Sequence, residues 1–183
     1  EKLQARFEVE AKAIARLNHP NCITLFDFGY SEELGAFYTI VEFIDGIPLE
    51  TLIPQRTPVA RIVEIIRQLA SGLGHAHHHG ILHRDLKPEN IMLSQMPDGS
   101  ELAKVLDFGI AQIMSGDSTD DDDDFEVDRL TRVGEVFGTP AYMSPEQTQS
   151  THDLTPATDI YALGVIFYEL LEGRLPFYSE LPI

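Results

Sequence analysis

The stretch over residues 75–90 concentrates side chains that can do chemistry. HAHHHGILHRDLKPEN carries five histidines within nine positions before it turns charged. Histidine is a common metal ligand, and His75 and His79 stand four residues apart, so that one helix face could carry both. A zinc site needs three or four ligands that converge in space, and no cysteine lies nearby in the sequence. The pattern therefore favours the end of a helix over a zinc site.

The charged half of this stretch has a second motif further along the chain. The tripeptide Asp-Phe-Gly begins at Asp107, 17 residues beyond Asn90. Phosphoryl transfer needs a proton acceptor beside the attacking hydroxyl and cations that compensate the charge on the phosphate oxygens. Asp85 can accept the proton, and Lys87 supplies a positive charge. Asn90 and Asp107 offer the hard oxygen ligands that magnesium prefers.

Predicted helices and strands surround these motifs. In chain order they are a helix over 1–18, a hairpin formed by CITLFDFGY and AFYTIVEF, a helix over 58–79, two strands in IMLS and AKVLD, and a helix over 158–171. Apolar residues every three or four positions indicate the helices, and β-branched and aromatic residues indicate the strands. Gly80 ends the second long helix, and the last helix is apolar nearly all round, which predicts burial. The long loop over 108–155 is of a length typical of functional or disordered segments.

Composition excludes some classes of function. The 183 residues carry a net charge of −17, which argues against nucleic-acid binding because proteins of that class present a basic surface. Much of the acidic excess lies in 117–128, which we interpret as a solvated insertion. The alternatives are that this run recruits basic substrates or competes with a phosphate for Arg84. The single cysteine, Cys22, forms no internal disulfide, fits a reducing, cytoplasmic compartment and is predicted to fill a core position.

The ends of the sequence and its apolar runs bear on targeting. The opening EKLQARFEVEAK has no signal-peptide pattern, and the longest apolar run, 157–171, contains Asp159 and Glu169. That run is too short and too charged to span a bilayer, so no membrane segment is predicted. Because the sequence opens without methionine and stops at Leu-Pro-Ile, we expect it to be a piece of a longer protein.

Four motifs give the chain a family resemblance. HRDLKPEN and the Asp-Phe-Gly tripeptide match the catalytic and metal-binding loops of protein kinases, GTPAYMSPEQ matches their substrate-binding loop, and DIYALG matches the start of their αF helix. Together they resemble the eukaryotic-type serine/threonine protein kinases, in particular the bacterial branch, over essentially the whole chain. The resemblance implies an α+β, two-lobed, truncated kinase-like fold that runs from the αC helix to just after αF. Residues 1–44 then form part of the N-lobe and 45–183 part of the C-lobe.

The resemblance implies an activity and its cofactors. The activity is transfer of the ATP γ-phosphate to protein serine or threonine hydroxyls, with Asp85 as the catalytic base and Lys87, Asn90 and Asp107 completing the catalytic set. ATP and Mg²⁺ are implied, with Asn90 and Asp107 as the metal ligands. Implied partners are ATP, protein substrates and a second copy for autophosphorylation, with no nucleic acid. The kinase domain is expected in the cytoplasm, in a parent that a membrane segment elsewhere could tether.

Two other functions remain open. A pseudokinase would signal by conformation without transfer, and a small-molecule kinase could share the same core. The segment GTPAYMSPE disfavours the small-molecule kinase, because such kinases generally lack that peptide-binding loop.

Five residues match the family's nucleotide-binding positions. Glu10 matches the αC glutamate that pairs with the nucleotide-binding lysine of a preceding strand. Glu42 and Ile44 bound the hinge, residues 42–44, whose backbone would bond adenine. Val41 matches the position that controls the rear pocket, and Met92 matches the apolar floor under adenine.

Further residues match positions that shape the loop and the core. Thr139 would bridge Asp85 and Lys87 through its hydroxyl. Asp159 would accept backbone N–H bonds from the catalytic loop, residues 83–90. An apolar column that aligns the lobes would contain His83, Phe108, Ile14 and Leu25.

Two matches concern regulation and closure of the fold. Arg84 would hold a phosphorylated residue of the long loop by bidentate hydrogen bonds, and Thr131 is the predicted acceptor. Glu146 matches a glutamate that pairs with an arginine further along the family's chain. In the family, a glycine-rich loop and the nucleotide-binding lysine precede Glu1. We therefore expect the 183-residue piece to be inactive and marginally stable, with Glu146 unpaired, and the parent to be active.

Overall fold

The computed structural model describes residues 2–108, 140–148 and 154–177, without the side chains of residues 2–6, 10 and 140. The long helices are α1 (Lys2–Ile14), α2 (Val59–His78) and α4 (Pro156–Glu172), and α3 (Pro145–Thr148) is one short turn. The strands are β1 (Leu25–Ser31), β2 (Ala36–Val41), β3 (Ile47–Pro48), β4 (Ile91–Gln95) and β5 (Glu101–Val105). Short 3₁₀ turns cover Leu49–Leu52, Pro88–Asn90 and Pro140–Tyr142.

Helix α1 is shorter than predicted. It ends at Ile14 rather than at residue 18, and the following residues form tighter turns in which the Arg16 and Leu17 amides bond to carbonyls three residues earlier. Pro20 disfavours a helical conformation at the residue before it, and the chain must then straighten into residues 21–23. The helix prediction is therefore right in kind and wrong at its C-terminal boundary.

The predicted hairpin is confirmed. Strands β1 and β2 pair antiparallel, with Phe28 opposite Thr39 and a bulge between Leu25 and Asp27. The buried ring of Phe7, on α1, lies 4.5 Å from the Phe37 ring, centroid to centroid. Aromatic packing therefore attaches α1 to one face of this sheet.

The second sheet has the order β3-β4-β5, with antiparallel pairing throughout. Gly99 makes the predicted turn between β4 and β5 at a φ of +83°, a conformation that glycine adopts without strain. The link segment, residues 21–23, runs beside β5. Its Ile23 N–H donates to the Val105 carbonyl, and the Val105 N–H donates to the Asn21 carbonyl, both at 2.9 Å. Backbone hydrogen bonds thus attach the first third of the chain to the second sheet.

Helices α2 and α4 contact each other and complete the core. Thr155 caps α4 by accepting the Ala157 N–H, and Gly173 ends it at a φ of +70°. The prediction that α4 is buried all round is wrong, because Ile160 is 52% exposed and Tyr168 and Leu171 are also exposed. Within the described residues, α4 therefore has one apolar face in the core and a second face that is exposed although it also carries apolar residues.

Cys22 fills the core position that the sequence predicts. Its side chain is buried, and Sγ lies 3.4 Å from the Gly72 carbonyl oxygen. Burial disfavours the thiolate and raises the pKa of Cys22 to about 11.

No described helix has the length and apolar character required to cross a membrane. The acidic run 117–128 lies outside the described residues, and the division into lobes at residue 44 stays a prediction.

Candidate active site

A single buried carboxylate holds the start of the catalytic loop. Asp159, in the first turn of α4, is 1% exposed and accepts the His83 N–H on Oδ2 and the Arg84 N–H on Oδ1, each at 2.9 Å. Hydrogen bonds to a charged acceptor are the stronger kind. The backbone bonds expected at Asp159 are therefore present, and they attach the loop to a helix more than 70 residues further along the chain.

Arg84 has a strained backbone that other elements hold in place. Its φ is +66°, in the left-handed region, which costs a non-glycine residue about 1–2 kcal/mol. Asp159 takes the Arg84 N–H, and Gln147 Nε2 of α3 donates to the Arg84 carbonyl at 2.6 Å. Because both backbone polar groups of Arg84 are bonded to α3 and α4, these helices determine the direction of the chain as it enters Asp85.

Asp85, Lys87 and Asn90 form one cluster. Lys87 Nζ lies 3.0 Å from Asp85 Oδ2, and the Asn90 amide nitrogen donates to the Asp85 carbonyl oxygen at 2.9 Å. A weaker contact joins the same nitrogen to Asp85 Oδ2 at 3.4 Å. The Asp85 side chain is 38% exposed and Lys87 is 22% exposed, so both functional groups remain accessible. The cluster presents a carboxylate and an ammonium group side by side.

Backbone bonds bring Asp107 next to this cluster. The Leu106 N–H donates to the Asn90 carbonyl at 2.8 Å, and the Leu106 carbonyl lies 2.8 Å from His83 Nε2. The next residue, Asp107, has a φ of +46°, a second left-handed non-glycine position. Strain at such positions is typical of functional sites, where the surrounding structure maintains it. The two sequence motifs therefore meet through Leu106.

The side chains of Asn90 and Asp107 fit the chemistry of magnesium. The Asn90 amide nitrogen is engaged with Asp85, which leaves its oxygen, Oδ1, for a cation. Asp107 is exposed, and its carboxylate has no hydrogen bond among the described residues. Magnesium prefers hard oxygen ligands of these two kinds. These two residues are therefore the ones that would hold the ion.

His83 and Phe108 lie at the base of the loop. Both are essentially buried, and their ring centroids are 5.2 Å apart. Burial lowers the pKa of His83, so the imidazole is neutral at physiological pH. The hydrogen bonds assign the proton to Nε2, which donates to the Leu106 carbonyl, while Nδ1 accepts the Asp85 N–H at 3.3 Å. Ile14 and Leu25, the other predicted members of the apolar column, are buried in the same hydrophobic core as Phe108.

A further histidine, His77, supports the catalytic loop and is not predicted from the sequence. His77 Nε2 lies 2.7 Å from Asp159 Oδ2, and the His77 side chain is 11% exposed. The sequence predicts a specific role for His83 alone among the five histidines of residues 75–83, and the contact between His77 and Asp159 shows that this prediction is wrong. A signal was available, because His77 continues the buried positions Leu69 and Leu73 at intervals of four residues along α2.

Ring stacking accounts for part of the remaining histidine cluster. The His75 ring lies 5.1 Å from the His19 ring and 4.5 Å from the His79 ring, centroid to centroid. Burial and the neighbouring His75 lower the pKa of His19. Within 2–108, 140–148 and 154–177, no group of three or more metal-ligating side chains is arranged to hold an ion.

The predicted nucleotide-binding residues lie around the hinge and β4. Val41 ends β2 and is 43% exposed, and Ile44 is half-buried. Thr24 holds Glu42 through both its backbone and its side chain. The Glu42 N–H donates to the Thr24 carbonyl, and the Glu42 carboxylate accepts the Thr24 N–H. Met92, on β4, pairs with Pro48 of β3. Glu10 lies in α1, but its side chain is outside the described part.

Glu146 differs from expectation. The Thr158 hydroxyl donates to Glu146 Oε1 at 3.1 Å, so the prediction that Glu146 is unpaired is wrong. Its position at the start of α3 explains this, because it brings the Glu146 carboxylate within hydrogen-bond distance of Thr158 in the first turn of α4. Thr131 and Thr139 lie outside the described residues.

Comparison with known proteins identifies the family. Residues 1–181 match the family described as "Protein kinase domain". The chain belongs to the protein kinase family. It is 47% identical over 182 residues to the serine/threonine-protein kinase pkn3 of Myxococcus xanthus, a match that covers 98% of the chain and 32% of pkn3. It is 42% identical over 178 residues to the probable serine/threonine-protein kinase PknB of Lactococcus lactis, covering 96% of the chain and 26% of PknB.

The structural comparison agrees. The kinase domain of Mycobacterium tuberculosis PknI superposes with a TM-score of 0.72 at 25% identity, covering 97% of the chain and 60% of that structure. The predicted α+β kinase-like fold is confirmed, as is the resemblance to bacterial serine/threonine kinases. The kinase chain spans about a third of the length of pkn3 and about a quarter of PknB.

Proposed function

We propose that the full-length protein is a serine/threonine protein kinase that transfers the γ-phosphate of ATP to protein hydroxyls. The observation that carries this proposal is the Asp85, Lys87 and Asn90 cluster, with Lys87 Nζ 3.0 Å from Asp85 Oδ2. The cluster combines a proton acceptor, a cation and a metal-ligating amide on one loop, which is what phosphoryl transfer requires. The named relatives support the choice of serine and threonine as acceptors.

Each residue of the catalytic loop then has its own role in the transfer step. The substrate hydroxyl oxygen forms a bond to the γ-phosphorus as the bond between that phosphorus and the bridging oxygen of ADP breaks. The Asp85 carboxylate accepts the hydroxyl proton. Lys87 offsets negative charge on the transferred group and, through its contact with Asp85, holds the carboxylate in position. Magnesium, when bound by Asn90 and Asp107, compensates the charge of the phosphate oxygens.

The nucleotide would lie between the hinge and β4. In this proposal the backbone of residues 42–44 bonds adenine, Met92 lies under its ring, Val41 controls access to the pocket behind it, and Glu10 pairs with a lysine of the parent protein. The exposure of Val41 supports this placement, since it leaves an apolar side chain beside the hinge for a planar ring. Because ATP is the phosphate donor, we place the domain in the cytoplasm.

A transfer assay on the full-length protein tests the proposal. Radiolabelled ATP, magnesium and a generic basic protein substrate should give phosphoserine or phosphothreonine. Asp85→Asn should lower kcat by about 10²–10⁴-fold, the usual contribution of a general base. Asp98→Asn, in the exposed β4–β5 turn, is the matched control and should transfer at the wild-type rate. Transfer by Asp85→Asn at the wild-type rate, or nucleotide binding without transfer by the wild type, would contradict the proposal.

We also propose that phosphorylation within the long loop, at Thr131, activates the enzyme through Arg84. Arg84 Nε is buried and has no hydrogen-bond partner among the described residues, which supports a role in binding an anion. One copy would phosphorylate another, which requires transient self-association. Mass spectrometry of autophosphorylated protein should find phosphate on Thr131, and Thr131→Ala should lower the rate. Full activity with Thr131 unmodified would contradict this proposal.

A further inference from the structure

Lys104, on β5, joins three segments of the chain at one ammonium group. Its Nζ lies 2.6 Å from Glu42 Oε1 and 3.5 Å from the Cys22 carbonyl oxygen. Glu42 Oε1 also accepts the Thr24 N–H at 2.8 Å, and the Glu42 N–H donates to the Thr24 carbonyl at 3.0 Å. The hinge, the link segment and β5 are therefore connected through a single ion pair.

The surroundings of this pair make it stronger than a surface salt bridge. The Lys104 and Glu42 side chains are only 14% and 23% exposed, so salt and water screen them poorly. Burial opposes ionisation of Glu42, but the hydrogen bonds from Lys104 and Thr24 outweigh it and hold the pKa of Glu42 below its ordinary value. The carboxylate is therefore charged across the physiological range.

The position of Lys104 connects the pair to the predicted metal ligand. Asp107 lies three residues beyond Lys104. The intervening residues are fixed, since Val105 exchanges backbone bonds with the link segment and the Leu106 N–H donates to Asn90. A displacement of Lys104 relative to Glu42 would therefore change the distance between the hinge and Asp107.

We propose that Lys104 and the Glu42 side chain form a positioning pair that fixes the hinge relative to Asp107. This inference rests on the proposed function, in which the hinge backbone binds adenine and Asp107 helps to bind the magnesium–phosphate end of the same nucleotide. The two ends must be held at one spacing, because a misplacement of about 1 Å is enough to weaken such a site strongly. Both side chains act through their neighbours, and neither contacts the reacting atoms.

The test compares two ligands that use different parts of the site. In the full-length protein, Lys104→Met should weaken MgATP binding by about tenfold, within the range measured for coupled neighbouring groups. Adenosine, which needs only the hinge, should bind within about twofold of wild type, because Thr24 still holds Glu42 on two bonds. Lys104→Arg should restore MgATP binding. Glu42→Gln, which keeps an acceptor for Thr24, should change MgATP binding in the same direction by a smaller factor.

The matched control lies at the other end of β5. Arg61 and Glu101 form an ion pair with Nη2 and Oε1 2.7 Å apart and with side chains 38% and 16% exposed. Arg61→Met removes a comparable pair from the same strand and should leave both affinities unchanged. Equal weakening of adenosine and MgATP by Lys104→Met, no weakening of either, or the same loss in Arg61→Met would overturn the proposal.

These results are separable from those of the transfer assay. A wild-type protein that binds both ligands but transfers no phosphate would refute the proposed function and leave the positioning pair standing. A wild-type protein that binds neither ligand would overturn both.

Discussion

The catalytic loop and the hinge are each held by one carboxylate, and the two carboxylates differ in burial. Asp159 is 1% exposed and accepts hydrogen bonds from three donors, which are the amides of His83 and Arg84 and the ring of His77. Glu42 has a side chain that is 23% exposed, and it accepts hydrogen bonds from the Lys104 ammonium and the Thr24 amide. Each carboxylate with its donors, called here the Asp159 node and the Glu42 node, connects segments that are distant in sequence.

The difference shows what each node can do. Removing a deeply buried acceptor leaves several donors without water or protein partners, and each such group costs about 1–3 kcal/mol. Losing the largely buried Lys104–Glu42 pair costs less, because fewer groups lose a partner and Glu42 keeps its bonds to Thr24. We therefore expect the Asp159 node to govern stability and catalysis together, and the Glu42 node to affect ligand affinity more than stability.

The largest effect should follow from Asp159→Ala. Two loop amides and the His77 ring lose their acceptor, and left-handed Arg84 loses one of the two bonds that hold it. The free energy of unfolding should fall by about 3 kcal/mol or more, with loss of phosphoryl transfer. Urea unfolding followed by circular dichroism measures the change. Asp159→Asn, which keeps one acceptor oxygen, should fall between wild type and Asp159→Ala, and a smaller loss for alanine than for asparagine would contradict the account.

His77→Phe should have the next largest effect. It removes one donor from Asp159 while keeping an aromatic ring of similar size, so we expect a loss of about 1–2 kcal/mol. His78→Phe is the matched control, because His78 is exposed on the same turn of α2. If the two variants unfold at the same urea concentration, His77 does not support the loop.

The pH dependence of stability tests His83. Because burial lowers the pKa of His83 in the folded state, the unfolded chain binds a proton that the folded chain excludes. His83 should therefore lower stability as the pH falls through its unfolded pKa of about 6.5, and have no such effect above it. Urea unfolding between pH 8 and pH 5 should show a shallower decline in His83→Phe than in wild type. An equally steep decline would show that other groups dominate.

The smallest effects separate half-buried from exposed ion pairs. Lys104→Met should cost about 1 kcal/mol. Arg67→Met, which breaks a pair with side chains 67% and 51% exposed, should cost less than about 0.5 kcal/mol. Thermal unfolding of both variants beside wild type measures the difference. Equal losses would mean that burial does not distinguish the Glu42 node from the surface.

Much of the fold was predictable because its signals are local. Apolar periodicity located α2 and α4 to within two residues, and the turn residues of the hairpin and of β4–β5 are adjacent in the chain. The errors occurred where a boundary or a surface depends on distant partners. Helix α1 stops early so that residues 21–23 can pair with β5, and one face of α4 is exposed although its composition predicts burial.

The candidate site also has residues that can be predicted from local sequence and residues that cannot. The residues proposed for chemistry, Asp85, Lys87, Asn90 and Asp107, lie in two short motifs, and their residue types and spacing are visible without a structure. Their supports are not visible in this way. Thr158 as the partner of Glu146, and Gln147 as the partner of the Arg84 carbonyl, follow only from the packing of α3 against α4 and the loop.

Contiguous residues encode the family, the helices and strands, and the motifs that carry the residues proposed for phosphoryl transfer, so each of these is visible in the sequence. The tertiary structure alone decided that His77 bonds Asp159 across 82 positions and that Lys104 bonds Glu42 across 62. Hydrogen bonds and ion pairs depend on distances of about 3 Å, which only the folded chain sets. The strained conformations of Arg84 and Asp107 belong to the same class, since isolated peptides would avoid them and the surrounding bonds maintain them.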